Sequence, residues 1–350
     1  MSYYRSKPTV SICIPTYNGA TFLSECIESA LAQTFGDFEL LLVDDASTDE
    51  TVAIAREYAC RDKRVRIHVN ETNLGLVGNW NRCVELAAGE WIKFLFQDDL
   101  LALTCVERLF DLGQSRNIPV VACRRDFMFE EGTSDEMRDF YLASAAQIED
   151  VFRHSQEMSA VVCRRVVLDR IGGNLLNLLG EPTATFLHHA LFSRFGYFNP
   201  VFISICDLEY WSRIGIHVGA LYTPEILASF RVHRGSVSAG VYAGRSYRLE
   251  LDGLVLFHEY LFHPLYKILW ATGSHRWQMR DLIGAVEKKA QKARQLAELA
   301  ATDLINPDTV PLLEWKDVVR HYPRLDRLSR PYSCLYALLW RLAIRTRSFP

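Results

Sequence analysis

Residues 91–99, WIKFLFQDD, carry the strongest indication of the fold. A short run of aromatic and branched residues favours a buried strand over a helix, and this run ends in two adjacent carboxylates, Asp98 and Asp99. Neighbouring side chains of a strand point to opposite faces, but both can face one crevice where the strand ends and the chain turns. In open α/β sheets that crevice is where ligands bind.

Two carboxylates at a strand end repel each other unless a cation lies between them. Carboxylate oxygens suit Mg²⁺ or Mn²⁺, and either ion also binds the phosphates of a nucleotide. The other interpretation of the pair is structural: Asp98 caps the next helix and Asp99 is solvated. The pair alone leaves both interpretations open.

Composition limits the class of protein. The 350 residues are 49% hydrophobic, enough for a large core, and the net charge of -3 gives no sign of nucleic-acid binding. Nine cysteines are scattered without a CxxC pair, which indicates free thiols in a reducing compartment. The amino terminus lacks the apolar core of a signal peptide, and no charge-free apolar stretch of about 18 residues occurs. We therefore expect a soluble, cytoplasmic protein.

Strands and helices alternate in the first hundred residues. Ser47 and Glu50 have the spacing of a capping box and precede a helical pattern that runs to about Cys60. Such alternation indicates an α/β fold, with a parallel sheet and helices on both faces. The predicted strands are Thr9–Ile14, Phe38–Val43, Val65–Val69 and the run from Trp91.

The rest of the chain is less regular. We predict helices at Leu103–Ser115 and Cys206–Ile216, and strands at Val120–Cys123, Leu221–Tyr222 and Ile226–Val232. After about residue 244 the pattern is helical. The segment Tyr332–Arg347 is basic and amphipathic, so it either packs into a core or makes a peripheral contact with an anionic membrane surface.

Polar side chains follow three of the predicted strands, at Pro15–Asn18, Asp44–Asp45 and Asp98–Asp99. A parallel sheet brings these ends to one edge. There a tyrosine can stack on a base, a carboxylate can accept from a base N–H, and a metal can bridge phosphates. Asn73 and Asn81 flank the same edge, although an asparagine such as Asn73 can equally be an ordinary turn residue.

Together these motifs resemble the family 2 glycosyltransferases of the GT-A fold. They are VSICIPTYNGATFLSECIESALAQTFGDFELLLVDDASTDET at residues 10–51, NLG at 73–75 followed by Asn81, and GEWIKFLFQDD at 89–99. The resemblance is strong over residues 9–100, weaker over 180–240, and absent beyond about 245. It implies a sheet that binds a nucleotide-diphosphate sugar, and inverting transfer that needs Mg²⁺ or Mn²⁺.

The resemblance also implies roles for single residues. The nucleotide-sugar site would comprise Pro15, Thr16, Tyr17, Asn18, Asp45, Asn73, Asn81 and Asp98. Asp98, Asp99 and His233 would be metal ligands, with His233 alternatively a diphosphate contact. Phe96 stands where many members have the first acid of a DxD triplet, which leaves open how much of the coordination falls to water and phosphate.

Asp207, in CDLEYWSRI, stands where the family has its catalytic base. The chemistry needs such a group, because an acceptor hydroxyl is a poor nucleophile until a carboxylate takes its proton. Asp207 can also cap its helix, and Glu209 is the rival base. Cys206 replaces an acid that members often carry before this aspartate. Three residues are expected to contact the acceptor or donor sugar: Glu181, Trp211 (equally suited to a core) and Arg213.

We therefore expect a GT-A domain over residues 1–244, with a nucleotide-sugar half (1–100) and an acceptor half (101–244), and a helical extension over 245–350. The expected reaction moves a sugar from a UDP or dTDP donor to a hydroxyl of a glycan or lipid-linked acceptor. A non-catalytic sugar-nucleotide or glycan-binding module is the alternative. A sugar-phosphate nucleotidyltransferase fits less well, because Pro15–Ala20 contains no lysine or arginine.

Overall fold

The computed structural model describes residues 7–170, 177–233, 246–271, 276–302 and 310–330. They divide into two compact units. The first unit contains residues 7–163, 177–200 and 206–233, and the second contains 164–170, 201–205 and the described residues from 246 onward. Two short segments that precede the expected boundary at residue 244 thus join the second unit. The basic segment Tyr332–Arg347 lies outside the described residues.

A single sheet organises the first unit. Its strands are β1 (Val10–Thr16), β2 (Phe38–Asp44), β3 (Val65–Val69), β4 (Trp91–Phe94), β5 (Leu100–Leu101), β6 (Val120–Phe129), β7 (Glu157–Met158), β8 (Thr185–His188) and β9 (Ala220–Val232). The helices are α1 (Leu23–Leu31), α2 (Thr51–Arg61), α3 (Gly75–Leu86), α4 (Cys105–Arg116), α5 (Asp135–Val151), α6 (Ala160–Asp169), α7 (Ala190–Phe195) and α8 (Cys206–Val218), with a 3₁₀ turn at Pro182–Ala184. The predicted α/β fold is confirmed.

The order of the strands places a ligand crevice at one edge of the sheet. The order is β3-β2-β1-β4-β8-β6-β9-β5, with β7 beside β9, and β3, β2, β1 and β4 are parallel. Because β2 and β4 lie on opposite sides of β1, the topology reverses between β1 and β4, and ligands bind at the carboxyl ends beside such a switch point. β8 is antiparallel to β4 and β6, and β9 is parallel to β6. The start of β8 and the end of β9 therefore lie at the same edge.

Buried strands form the centre of this unit. Every residue of β1 and β2 is buried, as expected for near-continuous apolar runs covered on both faces. β6 and β9 are longer than predicted, and the two strands expected around Pro224 are one strand. The reason is an irregularity in the pairing, since Thr223 pairs with Cys123 and Ile226 with Arg124, which bulges Pro224 out of the ladder.

The second unit is helical, with α9 (Ser246–Phe262), a 3₁₀ segment (Pro264–Trp270), α10 (Arg276–Thr302), α11 (Val310–His321) and α12 (Pro323–Leu328). Buried Asp252 explains why residues 201–205 belong to it. Its carboxylate accepts from the backbone N–H groups of Ile203 (3.0 Å) and Ser204 (2.6 Å) and from Arg248 Nε (3.0 Å). Within the described ranges, no helix has the length and apolar character needed to span a membrane.

Candidate active site

Gln97 joins the carboxyl ends of β1 and β4. The Tyr17 N–H donates to Gln97 Oε1 (2.8 Å), and Gln97 Nε2 donates to the Tyr17 carbonyl (3.1 Å). Tyr17 is 49% exposed beside this junction. Sequence reasoning placed Tyr17 here but missed Gln97, although it precedes the acid pair directly.

The turns after β1 and β2 are also tied together. Asn18 adopts a left-handed conformation (φ 47°), its N–H donates to Ser47 Oγ (2.9 Å), and its Oδ1 accepts from the Thr48 N–H (2.8 Å). Ser47 Oγ in turn donates to Asp44 Oδ1 (2.5 Å). The predicted capping box of Ser47 and Glu50 is wrong, because the serine hydroxyl is used between these turns and Glu50 makes no side-chain cap. Asn18 therefore shapes the edge of the crevice.

Asp45 holds a third turn against the same edge. Its carboxylate is almost fully buried and accepts from the Leu74 N–H (2.8 Å) and Asn70 Nδ2 (2.9 Å) at Oδ1, and from the Gly75 N–H (2.9 Å) at Oδ2. Asn73 Nδ2 donates to the Asp45 carbonyl (3.2 Å). Each carboxylate oxygen can accept two hydrogen bonds. Oδ2 therefore retains capacity for one more donor, the capacity that recognition of a base N–H requires.

Two asparagines of α3 have different surroundings. Asn81 binds the backbone of Phe198 through both ends of its amide, at 2.9 and 3.0 Å. Asn79 is buried, donates to the Val43 carbonyl (2.9 Å) and accepts from Asn70 (3.1 Å). Asn79, not Asn81, thus reaches the network behind Asp45. A polar residue within the buried stripe of α3 was the signal that could have identified Asn79.

The two acids after β4 point to different partners. Asp99 is fully buried and accepts from the Arg231 N–H (2.9 Å) and from Thr183 Oγ1 (2.6 Å). Burial, together with the charge of Asp98, raises the pKa of Asp99 well above its ordinary value. Asp98 keeps 20% of its side chain exposed and contacts His233, with 2.9 Å between Oδ2 and Nε2. That hydrogen bond raises the pKa of His233.

Arg231 fixes the backbone of this turn. Its Nε donates to the Asp98 carbonyl (2.9 Å), and its Nη2 pairs with Glu25 (2.8 Å). The guanidinium also lies over the Phe22 ring, 4.4 Å from the centroid. The bonds of Arg231 to the acid turn come from the pairing of distant segments.

The side chains of Asp98 and His233 are the groups at this edge that suit a divalent ion. Both are partly exposed and adjacent, and a carboxylate oxygen with an imidazole nitrogen is a set that Mn²⁺ accepts. Asp99 uses both oxygens on protein donors. In the described part of the chain, no three His, Cys, Asp or Glu side chains are grouped as a metal cage. The protein offers two ligands here, and Mg²⁺ and related ions often take the remaining oxygens from phosphate and water.

Asp207 lies in the first turn of α8, where its carboxylate accepts from the Leu208 N–H (2.7 Å) and Asn177 Nδ2 (2.8 Å). Burial and then the negative charge of Glu181 raise the pKa of Asp207 to about 7. A carboxylate that titrates near neutral pH is matched to general-base work. The predicted position of the base therefore has the electrostatics that the role requires.

One loop, residues 177–185, connects Asp207 with the acid turn after β4. Asn177, the first residue of the loop, donates to Asp207, and Thr183 donates to Asp99. Between them, Glu181 forms an ion pair with Arg125 (3.1 Å between Nη2 and Oε1). Fully buried Lys93 anchors the loop, because its Nζ donates to the carbonyls of Thr183 and, at 3.2 Å, Thr185. Glu181 of this loop was expected to contact the sugar, but the roles of Thr183 and Lys93 were not foreseen.

The other predicted residues of α8 face the core. Glu209 forms a buried bidentate ion pair with Arg213 (3.0 and 2.9 Å), whose Nη1 also donates to the Phe195 carbonyl (2.6 Å). Trp211 is fully buried and donates from Nε1 to the Gly180 carbonyl (2.8 Å). The structure thus brings Asp207 to the loop, and it places Glu209, Trp211 and Arg213 in contacts that hold the helix.

Known proteins resemble this chain in sequence. Residues 11–177 match the model of Glycosyl transferase family 2. An uncharacterised protein of Mycobacterium tuberculosis is 28% identical over 243 residues, which is 69% of this chain and 72% of the relative. A PGL/p-HBAD biosynthesis glycosyltransferase of Mycobacterium bovis is 48% identical over 97 residues, 27% of this chain and 38% of that protein. The chain thus spans little more than a third of the second relative.

Solved structures share the fold at low identity. The Staphylococcus aureus protein TarS, residues 1-349 with UDP-GlcNAc, aligns with a TM-score of 0.55 at 16% identity, over 90% of this chain and 92% of that one. A mannosyltransferase of Pyrobaculum calidifontis with GDP-Man and Mn²⁺ aligns with a TM-score of 0.53 at 17% identity, over 96% and 87% of the two chains. The family match over residues 11–177, the glycosyltransferase relatives and this shared fold support a family 2 glycosyltransferase, and the fold is that of the GT-A glycosyltransferases.

Proposed function

We propose that the protein transfers a sugar, with inversion, from a nucleoside-diphosphate donor to a hydroxyl of a glycan or a lipid-linked acceptor. One observation carries the proposal: the loop at residues 177–185 contacts both the acid turn after β4 and Asp207. A donor diphosphate at the first and a base at the second are the two requirements of such a transfer.

The donor site lies at the carboxyl ends of β1, β2 and β4. Tyr17, which is half exposed, stacks on the base, and Asp45 accepts from a base N–H through the remaining capacity of Oδ2. An N–H between two carbonyls, as in uracil or thymine, fits such an acceptor, so we propose UDP or dTDP as the nucleotide. The neighbours are complexed with UDP-GlcNAc and with GDP-Man, which supports a nucleotide sugar as the donor class.

Asp98 and His233 would hold the divalent ion, Mg²⁺ or Mn²⁺, together with oxygens of the diphosphate. When bound, the ion neutralises the charge that develops on the leaving diphosphate. Asp99 was expected to be a ligand as well. We assign it instead to positioning, because its two oxygens hold Thr183 and the backbone of Arg231.

Asp207 acts as the base. Its carboxylate takes the proton of the acceptor hydroxyl as that oxygen forms a bond to the anomeric carbon and the bond to the diphosphate breaks. A single displacement of this kind inverts the anomeric centre and needs no covalent intermediate. Glu181 borders the base and contacts the sugar, whereas Trp211 and Arg213 act through the packing of α8. The cytoplasmic location and the peripheral membrane contact of the basic segment stay predictions.

The test compares Asp207→Asn with Glu209→Gln, two changes on one helix. Release of nucleoside diphosphate would be measured from a panel of sugar nucleotides with Mn²⁺. We expect Asp207→Asn to lower turnover about 10²- to 10⁴-fold while the donor still raises the melting temperature. Glu209→Gln should retain turnover per folded molecule.

Full turnover in Asp207→Asn would contradict the assignment of the base. A binding module without catalysis would be revealed by a different result, in which donors raise the melting temperature of the unmodified protein but no diphosphate is released.

A further inference from the structure

A cavity of about 280 Å³ lies within the second unit, separate in sequence from every residue of the proposed active site. It is lined by His258, His321, Tyr322, Pro323, Arg324 and Arg327. Four of these six side chains are basic. The two guanidinium groups supply positive charge and N–H donors, and the histidine rings can supply further N–H donors, so the cavity can hold a small anion.

His258 is the buried polar group of this cavity. It is 6% exposed, and its ring packs on Phe262 (4.7 Å between centroids) and edge-on to Tyr322 (5.1 Å). Neither ring nitrogen has a hydrogen-bond partner among the described residues. The carboxylate of Glu259 lies 3.6 Å from Nδ1, which is too long for a hydrogen bond. An unpaired buried donor is costly, so a ligand that accepts from it would be stabilised.

Arg324 and Arg327 lie three residues apart on α12 and so share a face of the helix. Arg324 packs its guanidinium over the Phe262 ring at 4.8 Å, beside His258. Arg327 is exposed and makes no ion pair within the described residues, whereas nearby Arg330 pairs with Asp326 (2.6 Å). A guanidinium directed at a cavity and not neutralised by a carboxylate is available to an external anion.

The donor set points to the chemistry of the ligand. Planar guanidinium groups match the oxygens of a phosphoryl group with paired hydrogen bonds. Burial lowers the pKa of His258, so the ring is neutral near pH 7 and offers one N–H donor. The volume suits a phosphate or a diphosphate and is small for a whole sugar nucleotide.

We propose that this cavity is a phosphoryl-binding site, in which Arg324, Arg327 and His258 hold an inorganic phosphate or the phosphate headgroup of an anionic lipid. The site is independent of the proposed transfer reaction. It assigns to the helical unit a binding role that the glycosyltransferase fold does not require.

Calorimetric titration of the full chain with inorganic phosphate and pyrophosphate, at constant ionic strength, tests the free-anion source. We expect saturable binding that weakens about tenfold or more in Arg327→Gln and further in the double variant Arg324→Gln/Arg327→Gln. Arg330→Gln is the matched control, because it removes the same charge from the same region without lining the cavity, and it should bind as the unmodified protein does. If the double variant melts early without ligand, Arg327→Gln carries the test, since the exposed Arg327 side chain forms no ion pair with another described residue.

Co-sedimentation with vesicles tests the lipid source. Vesicles of phosphatidylcholine alone should not retain the protein, and vesicles that also contain phosphatidic acid should retain it through Arg324 and Arg327. Binding of phosphate without vesicle binding assigns the site to the free anion, and the reverse assigns it to the headgroup. Absence of both, or equal binding by Arg327→Gln and the unmodified protein, would overturn the proposal.

Discussion

At the scale of single residues, burial gives two acids of α8 opposite properties. Glu209 is buried against Arg213, and the two charges neutralise each other through a bidentate pair. Asp207 is surrounded by dipoles and by the charge of Glu181, and no cation of the described residues bonds to its oxygens, so its charged form is disfavoured. A carboxylate without a counter-ion is easily protonated, and this is the property of a base that works near neutral pH.

The raised pKa of Asp207 predicts a pH dependence of turnover. The base must be ionised, so kcat/KM should be constant above about pH 7 and fall tenfold per unit below it. Glu181→Gln removes the neighbouring negative charge, which should move this acid limb to lower pH. The profile of nucleoside-diphosphate release against pH, at saturating Mn²⁺, measures both.

Glu209→Gln is the control for this profile. Because Arg213 neutralises the charge of Glu209, this substitution should not shift the acid limb of the pH profile. An acid limb near pH 4, or one that stays in place in Glu181→Gln, would contradict the electrostatic assignment of Asp207.

At the scale of elements, the close approach of β4 to β1 depends on a glycine before β4. The Gly89 N–H donates to Ser11 Oγ (2.8 Å), which requires the two backbones to lie almost in contact. A Cβ at Gly89 would stand 2.5 Å from the Ser11 nitrogen and 2.7 Å from the Val10 carbonyl carbon. Neither backbone atom can move without disturbing the β1–β4 ladder that aligns Tyr17 with Gln97.

We therefore predict that Gly89→Ala lowers the free energy of unfolding by about 2 kcal/mol or more. The added methyl group would clash with backbone atoms, and no flexible side chain is there to move aside. Gly36→Ala is the matched control, since no atom lies within 4 Å of a Cβ built there. That change should alter stability by about 0.5 kcal/mol at most. Denaturant unfolding of both variants measures the difference, and equal midpoints would show that the β1–β4 contact tolerates a methyl group.

At the scale of the whole molecule, the two units should respond to different ligands. The proposed donor site lies in the first unit and the proposed phosphoryl site in the second. A ligand that binds only the folded state slows local opening where it binds. Hydrogen exchange therefore separates the two sites within one chain.

We predict that UDP or dTDP with Mn²⁺ slows exchange at the ends of β1, β2 and β4 but not in α9 or α12. A chelator should remove the metal-dependent protection from hydrogen exchange, because Asp98 and His233 then lose their ion. Asp98→Asn should abolish the metal-dependent protection from hydrogen exchange and keep the protection that comes from stacking of the base on Tyr17. Asp111→Asn, a change at an exposed acid of α4, is the control. Metal-dependent protection that persists in Asp98→Asn would exclude Asp98 as a ligand.

Much of the structure of the first hundred residues is encoded locally. Alternating short apolar runs and amphipathic helices are properties of neighbouring residues, so β1 to β4, their parallel direction and the polar residues at their ends follow from pattern alone. The capping box failed for a related reason, since Ser47 has the local spacing but bonds to Asn18 and Asp44 across the sheet edge. A local sequence pattern cannot predict a competing hydrogen-bond partner that another segment of the chain supplies.

The rest of the first unit depends on long-range pairing. Thr183 and Arg231 donate hydrogen bonds to Asp99 from 84 and 132 positions away in the sequence. The residues around Thr183 or Arg231 form no local pattern that predicts an acid as the partner. The distinction between Asn79 and Asn81 likewise comes from which face of α3 packs on β1 and β2. Local spacing thus sufficed to indicate the resemblance to the family and the edge of the sheet where we propose that the nucleotide binds. The pKa of Asp207, the partners of the acids and the basic cavity arise only once distant segments pack together, because burial and charge proximity are properties of the folded chain.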